Sequence, residues 1–322
     1  MSGPGAAFAF IVLVVVIIAI IISLVVLRYS FKQVKKTRKQ KILIIGSRGM
    51  LGTALVERFK GTHEVIGLDR PEIDITDEQS AREKIVFLKP DVIINCAAIN
   101  AVDDIEIKPE VHAAASSVNA TAMVTLGAIS EDLDIPIVHF SSDYVFDGER
   151  LDGYFETDDP NPINKYGETK VEGELLLKIA TSNHYIIRLS RLFGPAGTAD
   201  GVKKSFVDKM IELAALGKEV KVIDDEYSCP TYSKDLADFV YSLLEKKLPY
   251  GIYHGANSGA CTWYQWAQEI FKLKAIPVEI KKINEEDLAR PAKRPAHSEL
   301  RSTKTEPLRS WQEALKDYLS TF

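Results

Sequence analysis

Tyr166 and Lys170 stand four residues apart in Tyr166-Gly167-Glu168-Thr169-Lys170, inside a stretch whose pattern predicts a helix over 166–179. On a helix that spacing sets both side chains on one face. A lysine cation beside a phenol favours phenolate and draws the tyrosine pKa down from about 10 toward neutrality. Such a tyrosine can pass a proton to or from a carbonyl or alcohol oxygen. A lone Tyr-x-x-x-Lys is more often a solvated surface pair. Here the apolar run Ile135–Ser141 reads as a strand ending in Ser141 and Ser142, whose hydroxyls can hydrogen-bond the same oxygen. Ser142, Tyr166 and Lys170 are therefore the candidate catalytic group.

A second constellation suits a phosphate. Gly46-Ser47-Arg48-Gly49-Met50-Leu51-Gly52 is a GxxGxxG turn between a strand read at Ile42–Ile45 and a helix read at Met50–Lys60. Glycines allow the tight turn and a close backbone approach, while free amides at a helix N-terminus favour an anion. Any tight strand–helix turn can carry such glycines, so context decides. Asp69 closes the next strand, Glu64–Leu68, 23 residues past Gly46, where an acid commonly holds the adenosine ribose hydroxyls. The combination predicts a bound dinucleotide, NADH or NADPH. Asp69 favours the free 2′-hydroxyl of NAD, whereas Arg48 and Arg70 suit the 2′-phosphate of NADP or are simply solvated loop residues. The sequence leaves the two cofactors open.

The elements that must position these groups alternate. Strands at 42–45, 64–68, 92–95, 135–141 and 185–189 are separated by helical patterns at 50–60, 78–88, 111–130 and 166–179. That rhythm predicts a Rossmann-type α/β fold, a doubly wound parallel sheet, over residues 41–190. Beyond 190 it loosens into helices at 206–216, 233–245 and 262–273 and short strands at 220–223, 252–254 and 278–281. Residues 191–322 are expected to form mainly a smaller substrate-binding lobe, with some segments returning to the sheet. The aromatic stripe Trp263, Trp266 and Phe271 reads as core.

Residues 1–5 are a short tail, and Ala6–Leu27 is a 22-residue run relieved only by Ser23. As a helix it would span roughly 33 Å, against about 30 Å of hydrocarbon. Arg28, Lys32, Lys35, Lys36, Arg38, Lys39 and Lys41 follow it, and residues 28–40 form a basic linker. The asymmetry predicts a single-pass membrane protein with its catalytic domain cytoplasmic. The competing reading, a cleaved signal peptide, wants a basic start and an apolar core of only about 7–15 residues. Net charge is −5 despite the basic linker, so the remainder is acidic and no nucleic-acid footprint is expected. Cys96, Cys229 and Cys261 match no metal or redox spacing and suit a reducing compartment; no protein-bound metal is expected.

Further residues carry a resemblance. They are Leu68-Asp69-Arg70 with Asp74-Ile75-Thr76-Asp77, Pro90 to Ala98, Ala101-Val102-Asp103, and above all Ser141-Ser142-Asp143-Tyr144-Val145-Phe146-Asp147-Gly148. Pro160 and Pro162 precede the Tyr166 motif, and Cys229-Pro230-Thr231, Gly251 to His254 and Arg294 to Ser298 follow it. The chain resembles the extended short-chain dehydrogenase/reductases and, more narrowly, the dTDP-4-dehydrorhamnose reductase family, over nearly everything after residue 40.

That resemblance implies reduction of the C4 ketone of a nucleotide-linked 4-keto-6-deoxy sugar, dTDP-4-dehydrorhamnose to dTDP-rhamnose, for surface polysaccharide. Tyr166 would be the general acid, Lys170 would tune it and hold the nicotinamide ribose, and Ser142 would polarise the carbonyl. Asp74, Ile75, Ala97 and Ala98 would join the Gly46–Gly52 turn, Asp69 and Arg70 around the cofactor. Asn100, Asp143, Tyr144, Arg191 and Arg294 would face the substrate, with Arg294 either on the diphosphate or anchoring the C-terminal segment through a salt bridge. Related 4,6-dehydratases carry Asp-Glu where Asp143-Tyr144 stands, and 4-epimerases usually lack this pair, so reduction is favoured over elimination or epimerisation. Ser142 replaces the usual threonine, Arg191 a usual tryptophan, Asn100 a threonine and His297 an asparagine, which leaves the sugar open. The regulatory subunit of methionine adenosyltransferase resembles the same family, which makes a non-catalytic cofactor-binding subunit the alternative. A homodimer, and a Mg²⁺ bridging its subunit interface, also stay open.

Overall fold

The computed structural model describes residues 13–14, 16–24, 38–199, 204–217 and 219–321. Residues 1–40 and 41–322 are separate compact units. In the first, residues 13–14 and 16–24 are helical, and their apolar side chains are exposed, Leu13 by 57%, Ile18 by 50% and Leu24 by 59%. The rest of the expected 6–27 span, the 1–5 tail and residues 28–37 of the linker lie outside the described residues.

The second unit is an α/β sandwich. Its strands are β1 (Lys41–Ile45), β2 (Glu64–Leu68), β3 (Val92–Asn95), β4 (Ile137–Ser142), β5 (His184–Leu189) and β6 (Gly251–His254). They form one sheet in the order β6-β5-β4-β3-β1-β2, and every pairing is parallel. The order reverses between β1 and β3, which opens a crevice at their carboxyl ends where ligands bind in such sheets. Strand alternation fills both faces. Ile42 and Ile44 join one core cluster with helices α1 (Met50–Phe59) and Ser233–Glu245. Leu43 and Ile45 join the other, with α2 (Glu78–Leu88), α3 (Pro109–Leu133) and α4 (Lys165–Ala180). These four strand residues are at most 2% exposed, and cutting one back to alanine should cost about 2–5 kcal/mol.

Among the described residues α3 is the one helix long and apolar enough to cross a membrane, yet 61% of its apolar window is buried. It is a core helix beneath the sheet. It starts earlier and ends later than the expected 111–130, and a π-turn at Ser117–Thr121 widens it. Two helices escape the periodicity reading altogether, Val102–Ile107 and Trp311–Leu319.

The chain after residue 190 gives β6 to the main sheet and the Ser233–Glu245 helix to one of its cores, and it also builds a core of its own. There Phe193, Val207, Met210, Trp266, Phe271, Trp311 and Tyr318 pack together. Helices α5 (Phe206–Ala215), α6 (Ser233–Glu245), α7 (Trp263–Leu273) and α8 (Trp311–Leu319) carry most of this lobe and its seam with the sheet.

Candidate active site

A cleft of about 710 Å³ opens at the carboxyl ends of the strands. At one end its wall is Gly46, Gly49, Met50, Leu51 and Gly52, and in the middle Ser142, Tyr144, Tyr166 and Lys170. At the other end stand Arg191, Glu226, Trp263 and Ser298.

The glycine end is made of backbone. Gly46 has φ +77, a left-handed conformation that a side chain disfavours. A Cβ on Gly52 would overlap the Gly46 carbonyl oxygen and lie 2.7 Å from Ser47 Cα. No side chain caps α1, whose N-cap is Gly49, so its first-turn amides are left for a ligand at the positive end of the helix dipole. Open backbone, free amides and no room for side chains fit a dinucleotide pyrophosphate.

Asp69 braces this turn. Its carboxylate accepts from Ser47 Oγ at 2.5 Å and from the Arg48 amide at 3.0 Å. Arg48 is drawn toward acids, pairing with Asp69 at 3.3 Å and Glu72 at 3.0 Å, while Arg70 is exposed and reaches Asp74 at 3.4 Å. Asp74 chiefly holds Thr76, whose amide and hydroxyl both donate to it. The Ile75 side chain belongs to the core at 4% exposed, which leaves its backbone to meet a cofactor. Ala98 and Asn100 line the cleft, whereas the Ala97 amide donates to Asn95 Oδ1.

The catalytic helix is set by local chemistry. Asn164 caps α4 by accepting from the Gly167 amide at 2.8 Å. Gly167 lets the Asp143–Val145 turn come close, because a Cβ there would overlap the Tyr144 carbonyl. Tyr166 meets Tyr144 edge to face, ring centres 5.7 Å apart. Lys170, 1% exposed, donates to the Phe140 carbonyl at 2.6 Å. Asn119, in the π-turn, bonds Ile99 on both backbone atoms and donates to Thr169 Oγ1, which ties α3 to α4.

One expectation is overturned here. Burial pushes the Tyr166 hydroxyl up to about 12, against a hydrogen bond from Ser142 that lowers it and with Asp143 adding to the rise. The phenol is a proton donor at neutral pH, not a near-phenolate. Burial likewise brings Lys170 down to about 8, opposed by the charge of Glu174. Desolvation dominates both shifts, and the Tyr–Lys attraction that the spacing suggested figures in neither.

Asp143 lines the cleft but is engaged by neighbouring hydroxyls. It sits at the cleft floor, 3% exposed, and accepts from Ser142 at 3.1 Å, Ser228 at 3.0 Å and Ser298 at 2.7 Å. Burial raises its pKa, while hydrogen bonds from Ser298, Ser190 and Ser228 and the charge of Arg191 oppose the rise. It organises hydroxyls from three segments rather than standing free for a sugar. Arg294 takes one of its two expected roles. Its guanidinium grips Asp103 with two bonds of 2.6 and 2.8 Å and does not line the cleft, so of its two readings the anchor is the one seen.

Arg191 does line the cleft. It holds a left-handed backbone, φ 43, donates to the carbonyls of Cys261 at 2.7 Å and Glu226 at 2.8 Å, and lies 4.1 Å over the Trp263 ring. Trp263 is thus more than core: its indole N–H donates to Glu226 at 2.9 Å. Arg290 also bonds Glu226. His297 is stacked on Tyr227 at 4.8 Å. Glu226, Ser228 and Ser298 went unassigned in the sequence, though Cys229-Pro230-Thr231 and Arg294–Ser298 flagged two of their segments, and Trp263 was read only as core. Among the described residues no cluster of three His, Cys, Asp or Glu is placed to hold a metal.

Comparison with known proteins gives the same picture. The family model described as the RmlD substrate binding domain matches residues 40–322. A dTDP-4-dehydrorhamnose reductase of Streptomyces griseus is 37% identical over 289 residues, covering 85% of this chain and 91% of its own. The crystal structure of a dTDP-4-dehydrorhamnose reductase from Clostridium acetobutylicum is 38% identical, with TM-score 0.81, covering 88% of this chain and 99% of its own. One from Bacillus anthracis in complex with NADP is 30% identical, with TM-score 0.83, covering 88% of this chain and 100% of its own.

Proposed function

The chain belongs to the RmlD substrate-binding-domain family, that of the dTDP-4-dehydrorhamnose reductases, and from that premise we propose that it reduces the C4 ketone of dTDP-4-dehydrorhamnose with NADPH. The observation that carries the reading is one continuous cleft with a backbone phosphate cradle at one end and Ser142, Tyr166 and Lys170 midway along it. NADPH is favoured by the NADP held by the Bacillus anthracis relative. Gly46 to Gly52 would hold its pyrophosphate, with Arg48 and Arg70 near enough to Asp69 to meet the adenosine ribose end. When bound, the cofactor supplies the hydride that reduces C4.

The protein's own part is proton supply and orientation. Tyr166, protonated well past neutral pH, donates its phenolic proton to the C4 oxygen. Ser142, whose single hydroxyl proton here goes to Asp143, would turn that proton to the same oxygen when substrate binds and fix its direction. Lys170, one helical turn along α4, keeps a positive charge below about pH 8 that stabilises the phenolate left after transfer. Tyr144 and Arg191 orient the sugar from the far side. The test is to mix the full chain with dTDP-4-dehydrorhamnose and follow NADPH absorbance. Normal NADPH binding with no oxidation for any dTDP-linked 4-keto sugar would sink the catalytic reading in favour of a regulatory subunit.

We also propose that Ala6–Leu27 tethers the enzyme to a membrane with the cleft in the cytoplasm, keeping its product near membrane-bound glycosyltransferases. Support comes from the all-round apolar exposure of the helical residues between 13 and 24 and the basic residues that follow. Cell fractionation should find the full chain in the membrane pellet and a chain starting at Lys41 in the soluble fraction; equal distribution of the two would refute the tether.

A further inference from the structure

Among the described residues the cations that line the cleft are Lys170, Arg191, Lys204 and Lys209. Lys170 donates to the Phe140 carbonyl beside the catalytic tyrosine, and Lys204 pairs with Glu212. Arg294 is taken up by Asp103 and stays out of the wall. Arg191 and Lys209 are left, and among the described residues neither has an acid as an ion-pair partner. The acids of that end are already engaged: Glu226 takes the Trp263 indole N–H and Arg290, and Asp143 takes the hydroxyls of Ser142, Ser228 and Ser298.

The two cations belong to one wall. Arg191 lies 4.1 Å over the Trp263 ring, and Phe206 packs on the same ring, centres 4.7 Å apart. Lys209 follows Phe206 by three residues on α5, a spacing that sets both on one helix face. Arg191 is partly buried, and only two of its five N–H donors are engaged, by the carbonyls of Cys261 and Glu226. Burial lowers its pKa, and nearby acidic groups offset that only in part. A cation kept from water without a counter-charge is stabilised by an anion that enters beside it.

We propose that Arg191 and Lys209 form a two-cation clamp on the diphosphate of the sugar nucleotide, Arg191 on the phosphate joined to the sugar and Lys209 on the phosphate joined to the nucleoside. Arg191 takes the inner phosphate because its neighbour Ser190 meets Ser228, which bonds Asp143 at the catalytic floor. The guanidinium fork suits phosphate oxygens and the lysine acts as a point charge. Where the family's usual tryptophan offers a sugar only an apolar face, this chain holds the adjoining phosphate by charge. The inference rests on the reductase reading only for the choice of nucleotide.

Calorimetry on the full chain in detergent tests it, with dTDP, dTMP and NADPH as separate titrants. The unaltered chain should bind dTDP about tenfold tighter than dTMP, because the second phosphate adds a charge-assisted contact. Arg191→Gln should weaken dTDP about tenfold, leave dTMP nearly unchanged and so bring their ratio toward one. Lys209→Met should weaken both about tenfold and keep the ratio, with a loss that shrinks as salt rises. Lys209→Arg keeps the charge and should retain dTDP affinity within about twofold. NADPH affinity should stay unchanged in all three. Lys209 is exposed, so its variants guard against misfolding of the Arg191 variant. Unaltered dTDP affinity in Arg191→Gln or Lys209→Met overturns the clamp, as does an unaltered chain that binds dTDP no tighter than dTMP. A chain that shows the full phosphate dependence yet reduces no ketosugar keeps the clamp and loses the reductase reading.

Discussion

At the cofactor end of the cleft, seven consecutive residues, Gly46 to Gly52, do nearly everything with backbone atoms; at the sugar end, Asp143, Arg191, Glu226, Trp263 and Ser298 come from five separate segments and act through side chains. The first kind of site is made by excluding side chains, so each glycine there is a constraint set by its nearest neighbours. The second kind is made by packing, and each member depends on a partner far along the chain: Arg191 on the carbonyls of Glu226 and Cys261, Asp143 on Ser228 and Ser298. A backbone site should fail abruptly when a methyl group is added. A packed side-chain site should degrade member by member.

Substitutions can break or sharpen that contrast. Between the two ends, Tyr166→Phe removes the proton donor and should lower kcat by about 10²–10⁴-fold. NADPH affinity by fluorescence titration should stay within twofold, because the phenolic oxygen takes no part in the phosphate cradle. High residual turnover would remove Tyr166 from the reaction. Next, Gly52→Ala forces a Cβ into the Gly46 carbonyl, an overpacking of about 1–3 kcal/mol. It should cost about tenfold or more in NADPH affinity and leave dTDP binding far less affected. A smaller effect is expected from Arg191→Ala, which loses two charge-assisted hydrogen bonds and the Trp263 stack. The sugar-nucleotide KM should rise about tenfold, with NADPH affinity unchanged. If both ligands weakened equally, Arg191 would be a scaffold pin and the sugar end would not be separable.

The same contrast explains what could be read in the sequence. The turn, Asp69 and the Ser142–Tyr166–Lys170 order are local patterns, and the Ser233–Glu245 helix and Val220–Ile223 strand declare themselves through unbroken periodicity. Helix α8 was legible too, since Ser310 and Glu313 form a capping box ahead of it, but the preceding polar stretch masked that signal. Tertiary partners were not legible. Nothing near Arg294 names Asp103 as its partner 191 residues away, and nothing near Asp143 announces a ring of serines. The sign of the Tyr166 shift was misjudged for the same reason: a neighbouring lysine is visible in the sequence, whereas the burial that sets the shift is not.

The smallest effect expected is in pH dependence, and it separates chemistry from stability at one residue. For kcat/KM the relevant ionisations are those of the free enzyme. Lys170 falls to about 8 and Tyr166 rises to about 12, so Tyr166 stays protonated across the working range and Lys170 alone sets an alkaline limb. Activity that needs its cation should hold at pH 7, halve near pH 8 and fall about tenfold per unit above that. Stability runs the other way. The lysine pKa is lowered in the folded chain from an ordinary 10.5, so between about 8 and 10.5 the unfolded chain binds more protons. Unfolding free energy from this residue therefore rises with pH through that window and is flat below it. Lys170→Met should flatten both curves relative to the unaltered chain, in denaturant titrations and in rate profiles alike. An alkaline limb surviving in the methionine variant would assign it to another group. A stability contribution falling with pH would mean that Lys170 is held by an acid rather than depressed by burial.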